Sequence, residues 1–222
     1  MEHERNITAR GQRYTHVIWD FNGTILDDVQ LGIDCVNRML ARRGLPILAD
    51  REAYHRVFGF PIEDYYRRVG FDFEREDYHK VLAPEWVALY LAGEGDCPIH
   101  PGVVETVAAI HRRGLGQVIL SASDLTQLTG QLSRLGLAEE FDEILGLDNI
   151  HAHGKTALAI AWKQRNPDAV PLFVGDTEHD ADVAEALGGE CVLFSGGHQS
   201  RERLALRGMP VISAIPELLD FL

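Results

Sequence analysis

The sequence predicts an α/β fold: an open parallel sheet with helices on both faces, interrupted early by a small helical insertion. Three observations predict it. From about residue 98 onward, apolar runs of strand length alternate with stretches of helical period. Residues 27–97 carry helical periods and no convincing strand. The 222 residues suffice for one α/β core plus a small accessory domain, and are too few for two large ones.

Taken in order, residues 1–13 form a polar, charged leader without an apolar stretch, which argues against a secretory signal and for a frayed segment. Tyr14 to Trp19 reads as a buried strand ending at Asp20, with Gly23 breaking the pattern. From Asp27 to Gly44 the period becomes helical, with Val29, Ile33, Val36 and Leu40 on one face. Asp27 and Asp28 favour the helix start, Arg42 and Arg43 its end. The block up to Pro98 is rich in aromatic residues and divided by Gly59, Gly70 and Pro84. A helix at about 101–113 then leads to a strand at 117–121 and a helix to Leu135. A strand at 143–147 leads to a helix at 155–165, and a strand at 171–175 to a helix at 178–187. A strand at 191–194 and a last helical pair complete the chain. This alternation predicts a Rossmann-like core from 14–26 and 98–222, with 27–97 as a helical cap inserted after the first strand.

Composition narrows the function classes. Apolar residues at 45% and charged residues at 25% describe an ordinary globule. No apolar run approaches the ~18 residues of a membrane span. Cys35, Cys97 and Cys191 are far apart and form no CxxC pair, so neither a disulfide framework nor a thiolate zinc site is indicated. A cytoplasmic location follows from that cysteine usage. A net charge of −13 argues against nucleic acid and membrane surfaces as partners. It leaves room for a small anionic substrate met by a local cation, and for a monomer or small homo-oligomer.

Ligands of an open parallel sheet bind beyond the carboxyl ends of its strands. Those ends carry Asp20-Phe-Asn-Gly-Thr24, Ser121-Ala-Ser123 and Gly175-Asp-Thr-Glu-His-Asp180, with Lys155 opening the helix after the third strand. Two acidic strand ends repel one another in a dry cleft, and a divalent cation relieves that repulsion. Oxygen ligands of this kind suit Mg²⁺. A lysine and a hydroxyl beside it suit the oxygens of a phosphoryl group.

These four segments resemble the signature motifs of the haloacid dehalogenase superfamily. Asp20-Phe-Asn-Gly-Thr24 is similar to the first motif, usually written DxDGT; Ser121, Lys155 and Gly175-Asp176 with Asp180 match the other three. The resemblance implies a phosphoglycolate phosphatase-like hydrolase of small phosphorylated metabolites. It makes Asp20 the nucleophile of a phosphoaspartate mechanism. Mg²⁺ is implied on Asp20, the Asn22 carbonyl, Asp176 and, in support, Asp180. Ser121, the backbone at Ala122 and Lys155 are implied around the phosphoryl oxygens.

One position departs from the pattern. Asn22 stands where the family has its general acid, and an amide cannot deliver a proton; that assistance is typically worth ~10²–10⁴ in rate. The expectation is a phosphatase slow on alkyl esters and faster on aryl or acyl phosphates. His179 or a residue of the cap is a candidate stand-in acid. Asn22-Gly23 is also a deamidation-prone pair, although a tight turn blocks the geometry required. Arg56, Arg67 and Arg68 are candidates for a second anionic group on the substrate.

Other readings are weaker. Gly154-Lys-Thr156 lacks the first glycine of a P-loop, which would fall at Asn149; Gly93-Glu-Gly95 lacks the third of GxGxxG, at Pro98. His151 and His153 read as exposed loop histidines. Within the superfamily, Asp176 and Asp180 argue against dehalogenases, which dispense with Mg²⁺. The sole cap lysine, Lys80, is too late for a Schiff-base phosphonate hydrolase, and Asn22 removes the acid a mutase needs. The alternative of another class is a degenerate, non-catalytic module that binds a phospho-ligand.

Overall fold

A computed structural model describes residues 13–147 and 154–222, together with Gly11. The leader at 1–13 falls almost entirely outside the described residues, as do Asn149, His151 and His153.

The chain runs β1 (His16–Trp19), α1 (Val29–Arg42), α2 (Arg51–Val57), α3 (Ile62–Val69), α4 (Ala83–Gly93), α5 (Val103–Arg112), β2 (Gly116–Asp124), α6 (Leu125–Arg134), β3 (Glu143–Leu147), α7 (Lys155–Arg165), β4 (Pro171–Gly175), α8 (Glu178–Ala186), β5 (Glu190–Phe194), α9 (Arg201–Ala205) and β6 (Val211–Ile212). Among the described residues six strands form one parallel sheet in the order β3-β2-β1-β4-β5-β6, which puts the first strand between β2 and β4. The two-residue β6 and the 3₁₀ turn Ile215–Asp220 replace the second half of the last helical pair expected from the sequence. A strand that short leaves no readable alternation.

Side chains alternate between two packed layers, as a sheet buried on both faces requires. Val17 and Trp19 of β1 join α5, α6 and the C-terminal turn on one face. Ile18 joins Trp162 of α7 and Ala181 of α8 on the other. Fully buried Trp19 satisfies its indole N–H on Gln117, 3.1 Å away.

The segment between β1 and β2 forms a third, separate apolar cluster. Val29, Ile33, Val36 and Leu40 of α1 pack there with Tyr54, Phe58, Tyr65, Tyr66 and Leu82. Pro84 does not divide this region. It sits in the first turn of α4, where its missing N–H costs nothing, and α4 follows directly on the π-helical turn Tyr78–Leu82. The chain leaves the core and returns to it at one place. Leu26 bridges Ile99 antiparallel, the Asp27 N–H donates to the Pro98 carbonyl at 2.9 Å, and the His100 N–H to Ile25 at 2.9 Å.

Candidate functional site

The site grows from the neighbouring ends of β1 and β4. The Asp20 N–H donates to the Val174 carbonyl at 2.9 Å, so the chain is still in register when it delivers Asp20 beside Gly175 and Asp176. Asp180 lies in the first turn of α8. Its Oδ2 accepts from the Thr177 N–H at 3.0 Å and the Thr177 hydroxyl at 2.7 Å, which fixes the helix start and the carboxylate together. Lys155, the first residue of α7, is 5% exposed. Its ammonium donates to Asp20 Oδ1 and, at 2.5 Å, to Asp180 Oδ1. Sequence-distant Asp20, Lys155, Asp176 and Asp180 thus meet in one buried cluster.

Ligand oxygens of Asp20, Asp176 and Asp180 lie within 4.8 Å of one another. Burial pushes the Asp20 carboxyl well above its usual range; the ammonium of Lys155 opposes this, and Asp180 and Asp176 reinforce it. Burial likewise raises Asp176 to about 6, against the opposing charge of His198. Burial disfavours the charged Lys155, yet the carboxylates of Asp180 and Asp20 outweigh it and raise its pKa. Asp180 is held below its usual value despite burial, chiefly by Lys155 and then by Thr177. Fully ionised, the three carboxylates would outnumber the one ammonium by two charges, an excess that adds to burial in raising Asp20 and Asp176. An all-oxygen donor set with that surplus fits a hard divalent cation such as Mg²⁺.

Space for that arrangement comes from two glycines. Gly23 adopts φ +78°, and a Cβ on it or on Gly197 would collide with the Asp176 carboxylate. Asp176 is held by the Thr24 hydroxyl at 3.1 Å and the His198 N–H at 2.6 Å. Ser121 is 1% exposed at the end of the β2 apolar run, and its Oγ accepts from the Ser123 N–H at 3.1 Å. Ser121 and Ala122 line the same cavity as Asp20 and Lys155.

The Asn22 side chain is spent. Its Nδ2 donates to Asp28 Oδ2 at 2.9 Å and to the Tyr90 hydroxyl at 2.7 Å, and its Oδ1 accepts from the Ser123 hydroxyl at 2.9 Å. Both amide hydrogens are therefore engaged within the protein. The Gly23 N–H donates to Leu26 and to Asp28 Oδ1, so the nitrogen that deamidation would need is occupied.

Asp28, Tyr90, Ser123 and His198 are part of this site and were not assigned to it by the sequence reading. Asp28 is the N-cap of α1 but makes no side-chain cap bond. It is 2% exposed and turned inward to Asn22, to the Tyr90 hydroxyl at 2.6 Å and to His198 Nε2 at 3.3 Å. Burial opposes both charges of the Asp28–His198 pair. Their mutual attraction prevails, lowering Asp28 and raising His198 to about 9. His198 follows β5 as part of Ser195-Gly-Gly-His198, so the strand-end rule that located Asp20 could have found it.

Helices α2 and α9 fasten the insertion over the cluster. Arg51 and His55 Nε2 each donate to the Gly197 carbonyl at 3.1 Å, Tyr54 OH lies 2.7 Å from His198 Nδ1, and Arg203 donates to the Phe58 carbonyl. The three arginines considered for a second anion lie elsewhere, which corrects that expectation. Arg56 pairs with Glu52 on the surface, Arg67 pairs with Asp64 and covers Phe73, and Arg68 donates to the Val57 carbonyl. His179 lines the cavity with its ring 5.1 Å from Phe60; burial lowers its pKa, so it is neutral at pH 7. Asp182 faces solvent and pairs with Arg207.

A parallel sheet with an acidic cluster and a lysine at its strand ends, under a helical insertion, defines a hydrolase class. The chain belongs to the haloacid dehalogenase-like hydrolase family, whose model matches residues 17–194. It is 24% identical over 211 residues to a phosphoglycolate phosphatase of Pseudomonas putida, spanning 91% of this chain and 75% of that protein. Phosphoglycolate phosphatase 1 of Pseudomonas aeruginosa matches to the same extent, 24% over 211 residues, with 91% and 75% covered. Among solved structures, a haloacid dehalogenase-like hydrolase from Streptococcus pneumoniae superposes with TM-score 0.78 at 18% identity, covering 94% of this chain and 98% of that one. A haloacid dehalogenase-like protein from Agrobacterium tumefaciens gives 0.74 at 22%, with 92% and 96% covered. The fold is therefore shared well beyond recognisable sequence. Nothing in these comparisons supports the non-catalytic alternative.

Proposed function

We propose that the protein is a Mg²⁺-dependent phosphatase that acts on a small phosphorylated molecule through a phosphoaspartate at Asp20. The observation that carries this reading is the Lys155 ammonium bonded to both Asp20 and Asp180 within a buried cluster of three carboxylates. Asp20, the Asn22 carbonyl, Asp176 and Asp180 are the residues that would hold the ion. When bound, Mg²⁺ supplies positive charge to the phosphoryl oxygens.

The remaining roles fall to this chain's own groups. An Asp20 oxygen attacks phosphorus, forming an acyl phosphate as the bond to the leaving oxygen breaks. Lys155 orients the attacking carboxylate and offsets charge on the transferring group. Ser121 and the backbone at Ala122 bind phosphoryl oxygens. Water then attacks the acyl phosphate, releasing inorganic phosphate and restoring the Asp20 carboxylate. Asn22 gives the leaving oxygen neither a proton nor a hydrogen bond, so the departing anion takes its proton from solvent. Rate should therefore depend steeply on leaving-group acidity.

The test is phosphate release from acetyl phosphate, phenyl phosphate and an alkyl phosphate, with Mg²⁺ and with chelator, in wild type and D20N. The expected result is metal-dependent turnover, absent in D20N and slowest on the alkyl ester. Turnover that survives D20N, or that ignores leaving-group acidity, refutes the mechanism.

A further inference from the structure

The cavity above Asp20 has a second half that phosphoryl transfer does not use. Its volume is about 570 Å³, in the range that accepts drug-sized ligands and far more than an ester as small as phosphoglycolate fills. Opposite the acidic floor, the cap lines it with the rings of Tyr54, Phe58, Tyr65, Trp86 and Tyr90. Trp86 and Tyr90, one turn apart on α4, stack on each other with centroids 4.9 Å apart at 18°, a rigid aromatic wall in which each ring covers one face of the other. At its edge, Phe60, Val87 and Leu91 remain 43%, 42% and 40% exposed, which puts accessible apolar surface beside the polar centre.

Charge in this half is as informative as shape. Among the described residues, Lys155 is the only lysine or arginine lining the cavity, and Asp20 and Asp180 already claim its ammonium. Of the two lining histidines, His198 is held by Asp28 and Tyr54, and His179 lies against Phe60. Asp28 and Asp124 add negative charge to the lining. A carboxylate on the substrate would lose its hydration there without gaining a cation, which is costly.

We infer that the organic half of the substrate is an uncharged aromatic group seated against the Trp86–Tyr90 wall. The substrate class is then aryl phosphates, in place of carboxylated esters such as phosphoglycolate. The inference rests on the phosphatase reading of Asp20 for the placement of the phosphoryl end. It agrees with an independent feature of the site: a phenolic oxygen departs without the proton that Asn22 cannot supply.

Benzylphosphonate and phosphonoacetate, whose carbon–phosphorus bonds resist hydrolysis, separate recognition from chemistry. Calorimetric titration of the full chain with each, in MgCl₂, should give benzylphosphonate at least about 10-fold tighter, the return expected for burying an aromatic ring. V87R, at a surface position, places a cation at the mouth and should shift preference several-fold toward phosphonoacetate. Phosphonoacetate binding as tightly as benzylphosphonate, binding of neither, or a preference untouched by V87R overturns the inference. Hydrolysis of acetyl phosphate, lost in D20N, is scored separately. Its absence with benzylphosphonate bound refutes the phosphatase reading alone. Its presence with phosphonoacetate preferred refutes only the aromatic substrate.

Discussion

At the scale of single residues, the site turns on Asn22 and the partners that immobilise it. An aspartate at this position would stand 2.9 Å from Asp28, and two carboxylates so close cannot both ionise. N22D should therefore hold a proton near the leaving oxygen and raise kcat on alkyl phosphates by roughly 10-fold or more, with little effect on aryl phosphates. Equal gains on both substrates would show that Asn22 is not the missing acid. Asp28 escaped the sequence reading for a physical reason: an acidic residue before a helix looks like a cap, and nothing local reveals that it turns inward. Its partner His198 lies 170 positions away. The pair also sets a pH dependence. His198 rises from 6.5 to about 9 on folding, so its stabilisation is complete below pH 6.5 and disappears as pH climbs through 9. Asp28, being lowered, contributes above its ordinary 3.8 and is lost only in stronger acid. Metal-free protein should lose about 2–3 kcal/mol between pH 6.5 and 9.5, roughly 4–12 °C in Tm for a chain of this size. H198Q should flatten that slope; an unchanged slope would assign it to other groups.

At the scale of elements, the loop after β5 does two jobs. Its Gly197 carbonyl receives Arg51 and His55 from α2, while the next N–H holds the Asp176 carboxylate. Cap position and the acidic cluster are therefore linked through a single peptide unit, the one joining Gly197 to His198. Gly197 leaves no room for a side chain against Asp176. G197A should displace that carboxylate and raise the Mg²⁺ concentration for half-maximal activity about 10-fold, with far-UV circular dichroism unchanged. Unaltered metal dependence would mean that Asp176 is not a ligand. Strands β1 to β5 were legible because each is an apolar run ending at Gly, Ser, Asp or a helix signal. β6 was not, since two paired residues are held by their neighbour β5 and by no pattern of their own.

At the scale of the whole molecule, three apolar clusters divide the labour: one on each face of the sheet and one inside the insertion. Alternation of strands with helices made the core's architecture readable. How the inserted helices meet the core was not, because cap packing depends on aromatic contacts between segments without a fixed spacing. Leu82 is fully buried in the cap cluster. L82A should cost about 2–5 kcal/mol there and leave both sheet layers intact. Trp86 reports the cap, and Trp19 and Trp162 the core. Urea unfolding of variants retaining one or the other tryptophan set should show the cap signal moving to lower denaturant ahead of the core. Coincident shifts would show that cap and core unfold as one unit.

The bridge between Leu26 and Ile99, with its flanking Asp27–Pro98 and Ile25–His100 hydrogen bonds, places the ends of the insertion side by side. A segment joined to its host through one such doorway can be exchanged without moving any strand. Most of the aromatic lining of the cavity then lies on one contiguous stretch of the gene, whose length can vary while the strand ends that carry Asp20, Asp176 and Asp180 keep their places.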